Sequence, residues 1–261
     1  STLASGNTAQ YVGVKDIVMY PSIVDVAGLN RISREILARA VGAICGMVET
    51  SAPKAEDKPL VVASMFGNTT ECVQHAKKIL EANGYEVLVF HATGTGGRTM
   101  ESLIEAGMVD GVLDITTTEW ADELVGGFLG AGPHRLEAAA KTGTPAVVTP
   151  GCLDMVNFAQ LDTVPETYKH RKLYSWAPDV TLMRTNVEEN KILGNILATK
   201  VNQSTAAATI VIPLRGISQI DVAGGIFFHP ESNKALYDEI KETAKREVKV
   251  IEVDSHINDL D

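Results

Sequence analysis

Five times between Leu60 and Gly216 an apolar run with the length of a buried strand stops at a cluster of Gly, Thr, Asn or Pro. LVVASM runs into FGNTTE, VLVFHA into TGTGGRT, GVLDI into TTTEW, PAVVT into PGCLD, and ATIVI into PLRGIS. Stretches of helical length separate these runs, so they cannot pair as tight hairpins and are expected to join by right-handed crossovers into a parallel sheet. A parallel sheet gathers the carboxyl ends of its strands along one edge, where ligands bind. The spacing therefore predicts a doubly wound α/β fold with a mostly parallel sheet, a Rossmann-like or flavodoxin-like three-layer sandwich. It also predicts one shared site at the five exits.

Along the chain the pattern predicts a short strand at Asp16 to Met19 and a helix at Leu29 to Glu49, whose Ile32, Ile36, Leu37, Ala40, Ile44 and Met47 form an apolar stripe. Pro53 and a charged run mark a linker at Thr50 to Lys58. Regular alternation follows: strands at Leu60 to Met65, Glu86 to His91, Gly111 to Ile115 and Pro145 to Thr149, with helices at Thr69 to Asn83, Arg98 to Ala106, Thr118 to Leu129 and Pro133 to Lys141. It lapses over 151–181, a length typical of a lid or contact surface. It resumes with strands at Val180 to Met183, Ala208 to Ile212 and Val248 to Val253 and helices at Val187 to Asn202 and Glu231 to Lys245.

Composition narrows the function. With 261 residues, 45% hydrophobic and 21% charged, the chain can bury a core. A net charge of −10 without a basic stripe argues against nucleic acid as a partner. No apolar run reaches about 18 residues, so no membrane span is expected. The first residues lack a basic segment followed by an apolar core and do not read as a secretory signal. Cys45, Cys72 and Cys152 are widely spaced, and the six histidines are dispersed. This fits a reducing, cytoplasmic setting and indicates no metal site.

The exits carry residues suited to an anion, because glycine lets N–H groups approach an oxyanion, hydroxyls donate to it, and a helix start adds its positive end. The same residues are also ordinary turn formers and caps. In FGNTTE, Gly67, Asn68, Thr69 and Thr70 match the short phosphate loop of flavodoxins, and Trp120, Tyr174 and Trp176 are the aromatics a flavin would need. In TGTGGRT, Gly94, Thr95, Gly96 and Gly97 precede Arg98, supplying N–H groups and a cation. TTTEW places Thr116, Thr117 and Thr118 before Glu119. That spacing fits a capping box led by Thr116; otherwise Glu119 is the best placed acid/base in the chain. PGCLDMVNF adds Gly151, with Cys152 read as a packed thiol. Thr185 is expected to cap the following helix. Arg98, Arg184 and Arg215 together would clamp an anion.

The strings STLASGNTAQYVGVKDIVMYPSIVDVAGLNRISREIL, GTGGRTMESLI, GVLDITTTEWADELVGG, PGCLDMVNF, LMRTNVEENKILG and IPLRGIS resemble the tobamovirus-resistance ATP-binding domain family of bacteria, fungi and plants. The resemblance runs along nearly the whole chain. It implies that residues 1–58 are the end of a first α/β domain with a linker and that residues 59–261 are the complete second domain. It further implies a nucleotide- or phosphate-binding protein, a homo-oligomer, with ATP and magnesium as the cofactor but without assigning the nucleotide to either domain. An enzyme acting on a small phosphorylated or carboxylated metabolite is the alternative reading, and a flavin-binding module is a further one.

Overall fold

The computed structural model describes residues 6–25, 28–51, 53 and 57–260. The chain divides into two compact units, Ser1–Asp57 and Lys58–Asp261. The expected linker lies at this division, and its residues 52 and 54–56 fall outside the described residues.

The first unit holds a single turn of helix, α1 (Ala9–Val12), and the long helix α2 (Arg31–Glu49). Asn30 starts α2 by accepting from the N–H groups of Ile32 and Ser33, while the Ser33 hydroxyl accepts from Asn30 N–H. These bonds satisfy donors that a helix start otherwise leaves open. On the expected stripe Ile32, Leu37, Ile44 and Met47 are exposed, whereas Ile36 is buried. The strand expected at Asp16 to Met19 is absent: the segment is irregular, and Ile17 and Val18 are exposed with no ladder to join.

The second unit is built on six parallel strands: β1 (Leu60–Met65), β2 (Glu86–His91), β3 (Gly111–Thr116), β4 (Ala146–Gly151), β8 (Ala208–Pro213) and β9 (Lys249–Val253). They lie in the order β2-β1-β3-β4-β8-β9. All five runs singled out in the sequence are in this sheet. Alternate side chains leave opposite faces of a strand, which is how one short sequence feeds two layers. Val61 and Ala63 pack under α3 (Thr70–Ala82), and Val62 and Val112 pack under α4 (Thr95–Glu105) and α6 (Ala138–Thr142). Val148, Ile210 and Ile212 pack under α7 (Val187–Val201) and α8 (Pro230–Thr243). The result is a three-layer α/β sandwich. Strand order reverses between β1 and β3, so the crevice of a doubly wound sheet falls at their exits.

Residues 151–181 are not a loop. They carry most of a second, three-stranded antiparallel sheet, β5 (Met155–Phe158), β6 (Leu173–Ala177) and β7 (Val180–Arg184), in the order β5-β7-β6. The run at Val180 to Met183 thus belongs to this small sheet and not to the parallel series. The helix pair expected after β3 is shorter than its pattern: α5 spans Glu119–Val125 and stops at Gly126, whose φ is 94°. Among the described residues, no helix is long and apolar enough to cross a membrane.

Candidate functional site

The five exits do meet at the carboxyl edge, but largely by bonding to one another. The Thr69 and Thr116 hydroxyls lie 2.8 Å apart, joining the loops after β1 and β3. Thr117 donates its hydroxyl to Thr149 O (3.1 Å) and its N–H to Gly151 O (3.0 Å), joining those after β3 and β4. Gln219 N–H donates to Asn68 O and Cys152 N–H to Ile217 O, bringing in the loop after β8. Thr70 folds its hydroxyl back on Gly67 O (3.1 Å) and Thr118 donates to Met155 O (3.3 Å). Cys152 is fully buried with φ 60°, and burial pushes its thiol well above the ordinary range.

The anion at the start of α4 is the protein's own. Glu119 Oε1 accepts from Gly94 N–H (2.7 Å) and Gly97 N–H (3.2 Å), and its Oε2 accepts from Arg135 Nε (2.6 Å). A Cβ on Gly97 would lie 2.2 Å from Glu119 Oε2, and one on Gly96 1.8 Å from His91 O, so glycine here makes room for the chain's own oxygens. Glu119 therefore neither closes a capping box with Thr116 nor stands free as an acid/base. It is 1% exposed and caps a neighbouring helix.

Arg135, 2% exposed, is the hub behind it. Its guanidinium forks onto Asp114 at 2.5 and 2.7 Å, reaches Glu101 at 3.1 Å and donates to Thr116 O at 3.3 Å. Burial opposes the Arg135 charge, but Asp114, Glu119 and Glu101 outweigh it and hold its pKa well above the usual value. Burial pushes the Glu101 carboxyl up. Such a network is held by mutual satisfaction, because an unpaired charge at this depth is costly.

The small sheet is tied to the strand exits as well. Asp122, on α5, accepts from Asn157 N–H (2.7 Å) and Asn157 Nδ2 (2.6 Å) on β5, and burial raises its pKa to about 8. A Cβ placed on Gly67 would lie 3.8 Å from Trp176 of β6. At the other end of this sheet Arg184, 5% exposed, donates to Phe227 O (2.8 Å), the Thr185 hydroxyl (2.9 Å) and Asn233 Oδ1 (2.6 Å), with Asp221 at 3.7 Å. Asp154, bonded to the Ser218 hydroxyl at 2.7 Å, is raised by burial to about 7.

The three arginines of the expected clamp thus have three separate sets of partners. Arg184 is buried among carbonyls, and Arg215 is exposed and forked onto Asp254 at 2.7 and 2.8 Å. Arg98 is exposed beside the Thr95 hydroxyl at 3.4 Å.

Unspent donors occur elsewhere. A cavity of about 390 Å³ opens where α7 and α8 begin, with Arg171, Lys172, Arg184, Glu188, His229 and Ser232 on its wall. Asn186 caps α7, in place of the expected Thr185, by accepting from Glu189 N–H, and Glu189 returns the bond to Asn186 N–H. That leaves the leading N–H groups of Val187 and Glu188, both on the cavity wall. His229 Nδ1 accepts from Ser232 N–H at 3.2 Å, so a neutral ring carries its proton on Nε2. The Ser232 hydroxyl is fully buried with no hydrogen-bond partner among the described residues. Lys172 is exposed and has no ion-pair partner among them, whereas Arg171 is forked onto Glu189 at 2.9 and 2.8 Å. A larger cavity of about 620 Å³, lined by such side chains as Val61, Leu80, Leu113 and Val147, is an apolar groove beside α3.

Sequence reasoning missed Arg135, Lys172, Glu188, His229 and Ser232. A signal existed for two of them. An acid inside the apolar run GVLDI needs a buried cation, and HPES carries proline at a first helical position with a cap before it.

The chain is 53% identical over 261 residues to a UPF0261 protein of Clostridium tetani, covering 99% of this chain and 65% of that one. A UPF0261 protein of Mesorhizobium japonicum is 46% identical over 99% of this chain and 66% of its own length. The ToMV resistance protein Tm-1(GCR237) of Solanum lycopersicum is 41% identical over 99% of this chain and 35% of its own. The chain thus spans just under two thirds of the two bacterial relatives. Residues 1–53 match the N-terminal domain of an uncharacterised protein family and residues 58–261 its C-terminal domain, so this chain belongs to that family, UPF0261.

Proposed function

We propose that the chain binds a small ligand through a phosphate or carboxylate group, in the cavity at the starts of α7 and α8. The observation that carries this is the buried, unpartnered Ser232 hydroxyl on the same wall as the open N–H groups of Val187 and Glu188. Two helix starts bring positive potential to one point, and an oxyanion is the ligand group that uses it. Lys172 and the Nε2 of His229 add donors at the rim. The volume suits a small metabolite or the phosphate end of a nucleotide. ATP with magnesium is the nucleotide to try first.

Calorimetry with ATP, AMP and inorganic phosphate tests this reading. Ser232→Ala and Lys172→Ala should each weaken binding by at least about tenfold, the lower end of one lost charge-assisted hydrogen bond of about 1.5 to 3 kcal/mol. Unchanged affinities in both variants would refute it. The proposal includes a reducing, cytoplasmic setting, supported by Cys45, Cys72 and Cys152 all being free thiols. It also includes a homo-oligomer, supported by the exposed apolar stripe of α2, which light scattering on the chain and on a deletion of 1–50 would test.

A further inference from the structure

Resting on the anion reading of the cavity at α7 and α8, we infer that Glu188 makes this site selective for an anion that carries its own proton, a phosphate group in its hydrogenphosphate form, over a fully deprotonated anion such as sulfate. Glu188 is the carboxylate on a wall otherwise furnished with donors: the Ser232 hydroxyl, Lys172, His229 and the first N–H groups of α7. It is exposed and, among the described residues, pairs with no cation. The helix start does not need it as a cap, because Glu189 returns the capping bond to Asn186 N–H and forks onto Arg171.

An acceptor set beside an anion has two consequences. An anion with a P–OH donates that hydrogen to the carboxylate and satisfies it while its other oxygens take the donors. An anion without a hydrogen meets the carboxylate with like charge and leaves it unpaired. Sites built to receive a hydrogen bond discriminate strongly against an analogue that cannot give one, and the repulsive element contributes alongside the attractive one. Phosphate and sulfate share a tetrahedral shape, so the discrimination falls on the proton alone. Phosphomonoesters, with a second pKa of about 6, keep part of their population in the protonated form near neutrality.

Calorimetry at neutral pH and low ionic strength, with inorganic phosphate and with sulfate, on the wild type, Glu188→Gln and Ser232→Ala, tests the inference. Phosphate should bind the wild type at least about tenfold more tightly than sulfate, and Glu188→Gln should bring the two within about twofold, mainly by improving sulfate. Ser232→Ala should weaken both anions together. Equal wild-type affinities, or a ratio that survives Glu188→Gln, would overturn the selectivity while leaving the anion site standing. Absence of heat with either anion would overturn both, because the cavity would then hold no anion to select.

Discussion

The crevice at the exits of β1 and β3 and the cavity at the starts of α7 and α8 are made of similar groups put to opposite uses. At the crevice, N–H donors, a carboxylate and an arginine are present in close geometry, but Glu119 takes the N–H groups of Gly94 and Gly97, and Arg135 takes Glu119, Asp114 and Glu101. At the cavity, the capping bonds of Asn186 and His229 leave a buried hydroxyl and two N–H groups without partners. Glycine-rich exits in a parallel sheet are thus not in themselves a vacant site; their donors can be consumed by the protein's own anion. What distinguishes the cavity is that its left-over hydroxyl and N–H groups share one wall with an unpaired lysine.

The sharpest way to break this contrast is to remove the hub of the crevice. Arg135→Ala leaves Asp114, Glu119 and Glu101 buried without their cation and should cost about 3 to 5 kcal/mol or prevent folding, read by denaturant melts. A loss under about 1 kcal/mol would mean that the network is solvated and the crevice is not closed. Gly97→Ala should come next, at about 1 to 3 kcal/mol, because the new methyl displaces the Glu119 carboxylate from the start of α4.

Titration gives the third effect. Burial raises Asp154 to about 7 and Asp122 to about 8, so the folded chain keeps protons that the unfolded chain releases near pH 4. Stability from these groups is therefore full below about pH 4 and is lost as pH rises through about 7 to 8, by on the order of 1 to 3 kcal/mol. Asp122→Asn should flatten that slope. A midpoint that instead rises steadily from acid to alkaline pH would contradict the raised values. The smallest effect belongs to the cavity. Lys172→Ala should change stability by less than about 0.5 kcal/mol, since the side chain is exposed and unpaired.

The parallel sheet was legible because five apolar runs ended in turn residues at helical spacing, and all five lie in it. The run VTLM looked the same but pairs antiparallel with β5 and β6, and a short buried run carries no mark of its partner's direction. The residues IVM of the expected first strand had β propensity but no ladder to enter. At the site, sequence brought together the loops that do bond to one another, Thr69 with Thr116 and Gly94 with Glu119. It could not show that Glu119 and Arg135 take up those donors, because Arg135 lies 16 residues beyond Glu119 and only the acid inside GVLDI hints that a cation is needed. The cavity was invisible for a related reason. An unspent hydroxyl such as that of Ser232 is defined by the partners it lacks in three dimensions.

The most direct measurement is inorganic phosphate binding by calorimetry to two variants in parallel, Arg98→Ala at the strand exits and Lys172→Ala at the helix starts. Both remove one exposed cation, so charge alone does not separate them. The account predicts that Lys172→Ala weakens binding by about tenfold and that Arg98→Ala leaves it within about twofold of the wild type. Loss of binding in Arg98→Ala with Lys172→Ala unaffected would contradict it, and would return the ligand to the strand exits.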